Sequence, residues 1–291
     1  MNAFKAYHPL VNFIYFVAVI GFACFFLHPI CVSLAFIATG ANLLLLRKQR
    51  LWLFLLPMML VTALLNPIFN HQGVTLLGYL PDGNPVTLES VFYGVVAAGM
   101  LGSVMGWFSC YNEVMSSDKF VYLFGKIVPS LSLVFSMVLR FVPRLIKQFK
   151  AVANAQRGMG RDLSKGNLIT RAKNGLEILS IVMTWALENA IDTADSMKAR
   201  GYGQKGRTAY SIYTFTKRDG RALFWLLFFG GYTLVGAFCG ALSFNYFPML
   251  SEVGKALYSY SVFVAYGCLL LYPMILEIKE RRTWSAIKSR I

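Results

Sequence analysis

The chain has 291 residues, of which 57% are hydrophobic and only 14% are charged, against about 25% charged residues in an ordinary soluble domain. This composition excludes a soluble globular protein, because so few polar residues cannot cover so many apolar ones in water. The formal net charge is +15. Such an excess is typical either of nucleic-acid binding or of the cytoplasmic loops of a membrane protein, and the positions of the charges decide between the two.

Six apolar stretches predict membrane-spanning helices, because each approaches the roughly 20 residues that cross a bilayer. They are residues 9–27, 29–46, 51–68, 88–110, 222–243 and 257–276. We therefore expect an all-α polytopic membrane bundle with a helical cytoplasmic coupling domain. Its three regions are the N-terminal transmembrane helices (1–110), a cytoplasmic coupling-helix region (111–221), and the C-terminal transmembrane helices with a basic tail (222–291).

The distribution of Lys and Arg predicts the orientation of this bundle. The loop after the second span is basic, with Arg47, Lys48 and Arg50, whereas the loop over 69–86 has neither Lys nor Arg. Alternating from there places both termini and the long middle region in the cytoplasm, so that Lys255 alone of the basic residues falls outside. This topology accounts for the net charge, and we expect a lipid bilayer rather than a nucleic acid as the partner.

The middle region predicts two long amphipathic helices. In the first, Arg140, Arg144 and Lys147 share one face. In the second, the polar face comprises Glu177, Thr184, Glu188, Asp192 and Asp195. A span over residues 128–146 would place two arginines in or near hydrocarbon, at about 2.5–3.5 kcal/mol each. We therefore expect this helix to lie outside the bilayer core.

Each of these helices ends in a short Arg-Gly phrase. The first is Gln156-Arg157-Gly158 and the second is Ala199-Arg200-Gly201. A glycine just past the last turn supplies a left-handed cap, and an arginine there presents a five-donor fork that suits a carboxylate on a partner. Either phrase alone is typical of an ordinary helix terminus, but two of them in one cytoplasmic segment favour a function.

At these residues the sequence resembles the transmembrane T component of energy-coupling factor (ECF) transporters, the vitamin and transition-metal importers of prokaryotes. That family carries two Ala-Arg-Gly signatures. The second is intact here, and the first has Gln156 in place of the alanine. Similar stretches are NPIFNHQGVTLL, SDKFVYLFGKIVPSLSLVFSMVLRFVPRL and RTAYSIYTFTKRD, so the resemblance extends over most of the chain.

The resemblance implies a scaffold in the prokaryotic cell membrane. Such a chain docks on two ABC-type ATPases and holds a separate substrate-binding S component. ATP is bound by the ATPases, so that this chain has no cofactor of its own. The implied docking residues are Gln156, Arg157, Gly158, Ala199, Arg200 and Gly201. The identity of the vitamin or metal ion stays open, because the S component selects it.

No catalytic or metal-binding motif accompanies these signatures. The sequence has no phosphate-binding GxxxxGK[ST] loop, no HExxH and no GxSxG, so we expect a non-catalytic subunit rather than an enzyme. His8, His28 and His71 are far apart in the sequence, and the five cysteines are dispersed. Neither set predicts a metal site.

The alternative to a scaffold is a stand-alone secondary transporter of a small solute. Such a protein needs ionisable groups near the bilayer midplane, and the predicted spans are nearly free of charge. Glu89, at the outer end of the fourth span, is interpreted as a charge at a helix N-terminus, with an ion pathway as the other possibility.

Smaller features predict details of packing. Two glycine pairs, Gly102 with Gly106 and Gly236 with Gly240, favour close contact between helices within the chain, with docking of the S component as the other possibility. Four aromatic residues fall near predicted membrane boundaries, where interfacial belts form: Trp52, Trp107, Trp225 and Tyr272.

Overall fold

The computed structural model describes residues 3–46, 48, 50–79, 81, 83–125, 129–162, 166–202, 213–250 and 257–288. A short 3-10 helix covers Ala3–Ala6. The α-helices are α1 (Pro9–Phe25), α2 (Pro29–Leu45), α3 (Leu51–Phe69), α4 (Leu88–Val114), α5 (Ser117–Gly125), α6 (Pro129–Gly158), α7 (Leu168–Ala199), α8 (Lys217–Phe238) and α9 (Leu257–Lys288). Two strands, β1 (Leu76–Tyr79) and β2 (Pro85–Thr87), pair antiparallel between α3 and α4.

The first two long helices begin in the same way. Each has a proline at its first position, where a missing N–H costs nothing, and a histidine cap before it. Nδ1 of His8 accepts a hydrogen bond from the N–H of Leu10 at 3.2 Å, and Nδ1 of His28 accepts one from Ile30 at 3.2 Å. Burial lowers the pKa of His28, because it disfavours the charged imidazolium form.

The chain forms two compact units, and the first combines Met1–Ser116 with Tyr213–Ile291. Its core brings together side chains from both parts of the sequence. Tyr15 of α1, Trp107 of α4 and Tyr266 of α9 are each no more than 1% exposed, and the Tyr15 hydroxyl donates to the carbonyl of Leu270 at 3.0 Å. The last helix therefore completes a core that the first helices begin.

Glycines allow the helices of this unit to approach closely, as predicted for three of the four paired positions. A Cβ on Gly102 would meet the Sδ of Met59 in α3, one on Gly106 would meet Thr39 in α2, and one on Gly236 would meet Val262 in α9 at 2.5 Å. For Gly240 the prediction is wrong. It follows the end of α8 with φ +78° and serves as a turn residue rather than a packing site.

The fold class is confirmed as an all-α membrane bundle. Among the described residues, four helices are long and apolar enough to cross a membrane: Leu51–Phe69, Leu88–Val114, Lys217–Phe238 and Leu257–Ser285. The apolar helices α1 and α2 are shorter, with 17 residues each, which is the lower limit for a span. The count of six spans and the orientation of the termini remain predictions.

Two details of this unit differ from expectation. Trp107 is a core residue and not part of an interfacial belt, since it is 1% exposed and its ring lies edge-on to Tyr15 and close to Phe16. The loop over 69–86 contains a β-hairpin that the sequence did not predict, with an extra residue between Leu76 and Gly78 that interrupts its register.

The second unit is Ser117–Ile212 and contains α5, α6 and α7. It lies within the region predicted as cytoplasmic, and both amphipathic helices are present where the sequence predicts them. The boundaries 1–110, 111–221 and 222–291 are sequence-based and remain predictions.

Candidate functional site

The site is built on α6 and α7, which run antiparallel. The rings of Phe141 and Trp185 are stacked with centroids 6.1 Å apart, and the guanidinium of Arg144 lies over Trp185 at 5.4 Å, which adds a cation–π attraction to the packing. The C-terminal end of α7 lies beside the N-terminal half of α6, where Met137 and Arg200 line a common groove. About 20 helical residues separate Met137 from the end of α6, so the two Arg-Gly phrases are on the order of 30 Å apart.

The first tip comprises residues 156–162. Helix α6 continues through Gly158, and the left-handed residue is Gly160 with φ +83°. The N–H of Gly160 donates to the carbonyl of Arg157 at 3.1 Å, and the N–H of Arg161 donates to Gln156 at 3.0 Å. These bonds satisfy carbonyls that a helix end leaves without partners.

The arginines of the first tip are both paired within the chain. Nε of Arg157 lies 3.2 Å from the carboxylate of Asp162, and Arg161 forms an ion pair with Glu177 of α7. The side chain of Gln156 is turned inward and is 7% exposed; its Oε1 has no hydrogen-bond partner among the described residues. The first tip therefore compensates much of its own charge.

The second tip comprises residues 197–202. Gly201 is left-handed with φ +75°. Its N–H donates to the carbonyl of Lys198 at 2.9 Å, and the N–H of Tyr202 donates to Met197 at 3.0 Å. Lys198 lies 3.7 Å from Asp195, and both are largely exposed, so this pair contributes little.

A groove of about 270 Å³ opens beside the second tip. Its lining combines apolar side chains, three hydroxyls and two guanidinium groups: Leu133, Met137, Arg140, Thr193, Ser196, Met197, Arg200 and Tyr202. Neither Arg140 nor Arg200 forms an ion pair with any described residue. This arrangement suits an acidic partner that also presents an apolar side chain, because both guanidinium groups are free to bind carboxylates.

The hydrogen bonds correct the alignment of the two tips. In each tip, the N–H of one glycine donates to the carbonyl three residues earlier, and the next N–H donates to the carbonyl five residues earlier. Aligning the tips by these two hydrogen bonds pairs Gly160 with Gly201. Arg157 then corresponds to Lys198, and Met159 corresponds to Arg200. The prediction that Gly158 supplies the left-handed cap is wrong, since Gly158 is the last helical residue.

The structure thus places the predicted residues in two separate groups. Gln156, Arg157 and Gly158 lie at one tip. Ala199, Arg200 and Gly201 lie at the other. Sequence reasoning missed Met159 and Gly160, because two glycines in close succession offer two possible caps. It grouped Arg140 with its helix face but had no signal for its proximity to Arg200, which depends on how α6 and α7 pair.

Taken together, the long apolar helices and the separate helical unit with two capped tips define an integral membrane protein with a helical insert. No family model matches the chain, but individual relatives do. The chain is 30% identical over 209 residues to the energy-coupling factor transporter transmembrane protein EcfT of Acidaminococcus fermentans, an alignment that covers 65% of this chain and 74% of that protein.

Other proteins of the same name match over a shorter stretch. The identity is 39% over 109 residues with EcfT of Lactobacillus helveticus (37% of this chain, 39% of that protein) and 39% over 100 residues with EcfT of Brevibacillus brevis (33% and 38%). The chain thus spans about two fifths of the length of these two relatives. With the longer match, the comparisons show that the chain belongs to the EcfT family, the transmembrane T components of ECF transporters.

Proposed function

We propose that this chain is the non-catalytic scaffold of an ATP-driven importer in the prokaryotic cell membrane. Two ABC-type ATPases bind its two helix tips, and a separate S component brings the substrate, a vitamin or a transition-metal ion. The observation that carries this proposal is the end of α7, where Arg200 and Arg140 line an open groove without an ion-pair partner among the described residues. A rigid helix of 32 residues ending in such a groove suits the transmission of force from an acidic partner.

The exposed apolar surface of α6 and α7 supports a further partner for this unit. Phe135, Val138 and Ile146 of α6 and Met183 and Leu187 of α7 are all 48–65% exposed. Exposed apolar side chains in such number mark contact with another protein or with lipid. In the proposed assembly, the membrane-embedded S component covers part of this surface.

Two of the three buried carboxylates among the described residues support a scaffold over a secondary transporter. Glu89 is the second residue of α4 and accepts hydrogen bonds from the N–H and hydroxyl of Thr75, the latter at 2.8 Å. Asp219 is the third residue of α8 and accepts from the N–H of Thr216 at 2.9 Å. Both carboxylates serve helix starts, whereas a proton- or ion-coupled transporter needs such groups near the bilayer midplane.

The first experiment is purification of the tagged chain from its native membranes in mild detergent, with mass spectrometry of the proteins that accompany it. Recovery of two ABC-type ATPases and a small membrane protein, with the ATPases lost in the Arg157→Glu, Arg200→Glu double variant, is the expected result. A chain that purifies alone and transports a solute after reconstitution would overturn the proposal in favour of the secondary transporter.

A further inference from the structure

We propose that Met159 occupies at the first tip the place that Arg200 occupies at the second, and that it binds an apolar pocket on one of the ATPase subunits. This inference rests on the proposed function, since it assumes that both tips bind ATPases. It assigns different chemistry to the two docking sites: an apolar pocket for the first tip, and an acidic site for the second.

The backbone geometry indicates that Met159 and Arg200 occupy equivalent positions in the two turns. Met159 directly precedes left-handed Gly160, as Arg200 directly precedes left-handed Gly201. The same two cap hydrogen bonds, from the glycine and from the residue after it, fix both turns. Because side-chain direction follows backbone conformation, equivalent positions in equivalent turns project their side chains in equivalent directions. The residue that the first tip projects in this direction is Met159 and not Arg157.

The charges around the two tips differ. At the first tip, Asp162 and Glu177 pair with the two neighbouring arginines, so an acidic partner would gain little there. At the second tip, Arg140 and Arg200 have no ion-pair partner among the described residues. A site built to receive the second tip would therefore not suit the first.

Large apolar side chains are exposed near the first tip. Met159 is 64% exposed, and Leu168 and Ile169, which begin α7 at the same end of the helix pair, are 77% and 79% exposed. These exposed apolar side chains lie near the end of α6 and the start of α7, and exposed apolar residues of this size mark contact with another protein or with lipid. The thioether of methionine is flexible and polarisable and adapts to an apolar pocket, which makes Met159 the natural centre of this contact.

The test compares Met159→Leu, Met159→Arg and Arg200→Met in the complete complex, co-expressed with its ATPases and purified through a tag on this chain. ATPase recovery is measured at low salt and after a wash at about 0.5 M salt, which shortens the range of charge–charge attraction to a few ångströms. Thermal unfolding of each purified variant controls for folding, and all three changes are at exposed positions.

Met159→Leu is expected to retain recovery under both conditions, because it keeps an apolar side chain of similar size. Met159→Arg is expected to lower recovery after the salt wash by about tenfold, as for a central interface residue. Arg200→Met is expected to reduce recovery at low salt and to remove its dependence on salt.

Two results would overturn the inference while leaving the proposed function intact. One is recovery with Met159→Arg equal to or above that of the parent, which would indicate an acidic site at the first tip. The other is equal loss with Met159→Leu and Met159→Arg, which would indicate no preference for an apolar side chain. A parent chain that recovers no ATPase at all would instead remove the proposed function on which the inference rests.

Discussion

The first tip closes at Gly160 and the second at Gly201, and the same pair of backbone hydrogen bonds stabilises both turns. Their side chains differ. The first presents Met159 beside arginines that are paired within the chain, and the second presents Arg200 beside an open groove. A capped helix end therefore fixes the direction of its side chains, whereas the residue before the glycine and the charges around it determine what the tip can bind.

Charge reversal at the two tips separates them most strongly. We expect Arg200→Glu to reduce ATP-driven uptake by about a hundredfold, since it places a carboxylate against an acidic partner, and Arg157→Glu to reduce it by no more than about tenfold. Uptake into proteoliposomes by the complete complex measures both. Arg200→Lys is the matched control, because it keeps the charge and loses the fork. Equal uptake by both reversals and the parent would exclude a docking role.

A glycine series tests the alignment of the tips. Gly160→Ala and Gly201→Ala should each cost about 1 kcal/mol, because an L residue is strained at positive φ. Gly158→Ala should be neutral or stabilise by up to about 1 kcal/mol, because Gly158 is helical and alanine is the better helix former. A Cβ at Gly158 or Gly160 meets no atom of another described residue within 4 Å, so the series tests backbone strain.

Denaturant unfolding in detergent measures this series. A larger loss of stability for Gly158→Ala than for Gly160→Ala would restore the original alignment, in which Arg157 matches Arg200.

A substitution at Gln156, which precedes the cap of the first tip, is expected to have a smaller effect. Gln156 is buried with an unpartnered Oε1 among the described residues, and its counterpart at the second tip is Met197. We expect Gln156→Met to stabilise the protein by about 1 kcal/mol, because it removes a buried acceptor that lacks a hydrogen bond. The same unfolding assay measures this gain. Gln156→Glu is the control and should destabilise; a loss with Gln156→Met would mean that the amide has a partner after all.

The smallest effect concerns the ion pair of the first tip. Asp162→Asn should change the free energy of unfolding by no more than about 1 kcal/mol, since the Arg157 side chain is 67% exposed while that of Asp162 is 12% exposed, so that water screens the pair from the arginine side. It should nevertheless make ATPase recovery more dependent on salt, because a freed guanidinium brings the first tip closer to the character of the second. An unchanged salt dependence would show that Asp162 does not modulate the first tip.

Much of the fold follows from local patterns in the sequence. The predicted span over 29–46 is the helix Pro29–Leu45, and that over 51–68 is Leu51–Phe69, because apolar length and proline position determine such helices locally. The two amphipathic helices are likewise present. Local patterns do not predict which side chains are buried. Trp107, for example, is interior because α1 lies against α4.

The candidate site is predictable to the same degree. The Arg-Gly phrases identify both helix ends, and Gly201 caps as expected. At the first tip the choice between Gly158 and Gly160 depends on hydrogen bonds that only the folded turn reveals. The pairing of Arg157 with Asp162 also depends on the turn, because it brings together two residues that lie on different sides of the cap.

The discontinuous first unit has a consequence for how the protein is made. The Tyr15 hydroxyl donates to the carbonyl of Leu270, a residue that is synthesised more than 250 residues later. The N–H of His8 likewise donates to the carboxylate of Asp219, which is also synthesised much later. The early helices must therefore reside in the membrane with an unfinished core while residues 117–212 are synthesised. That intervening stretch forms a compact unit with its own internal contacts, and these contacts do not require the last two helices to have been synthesised.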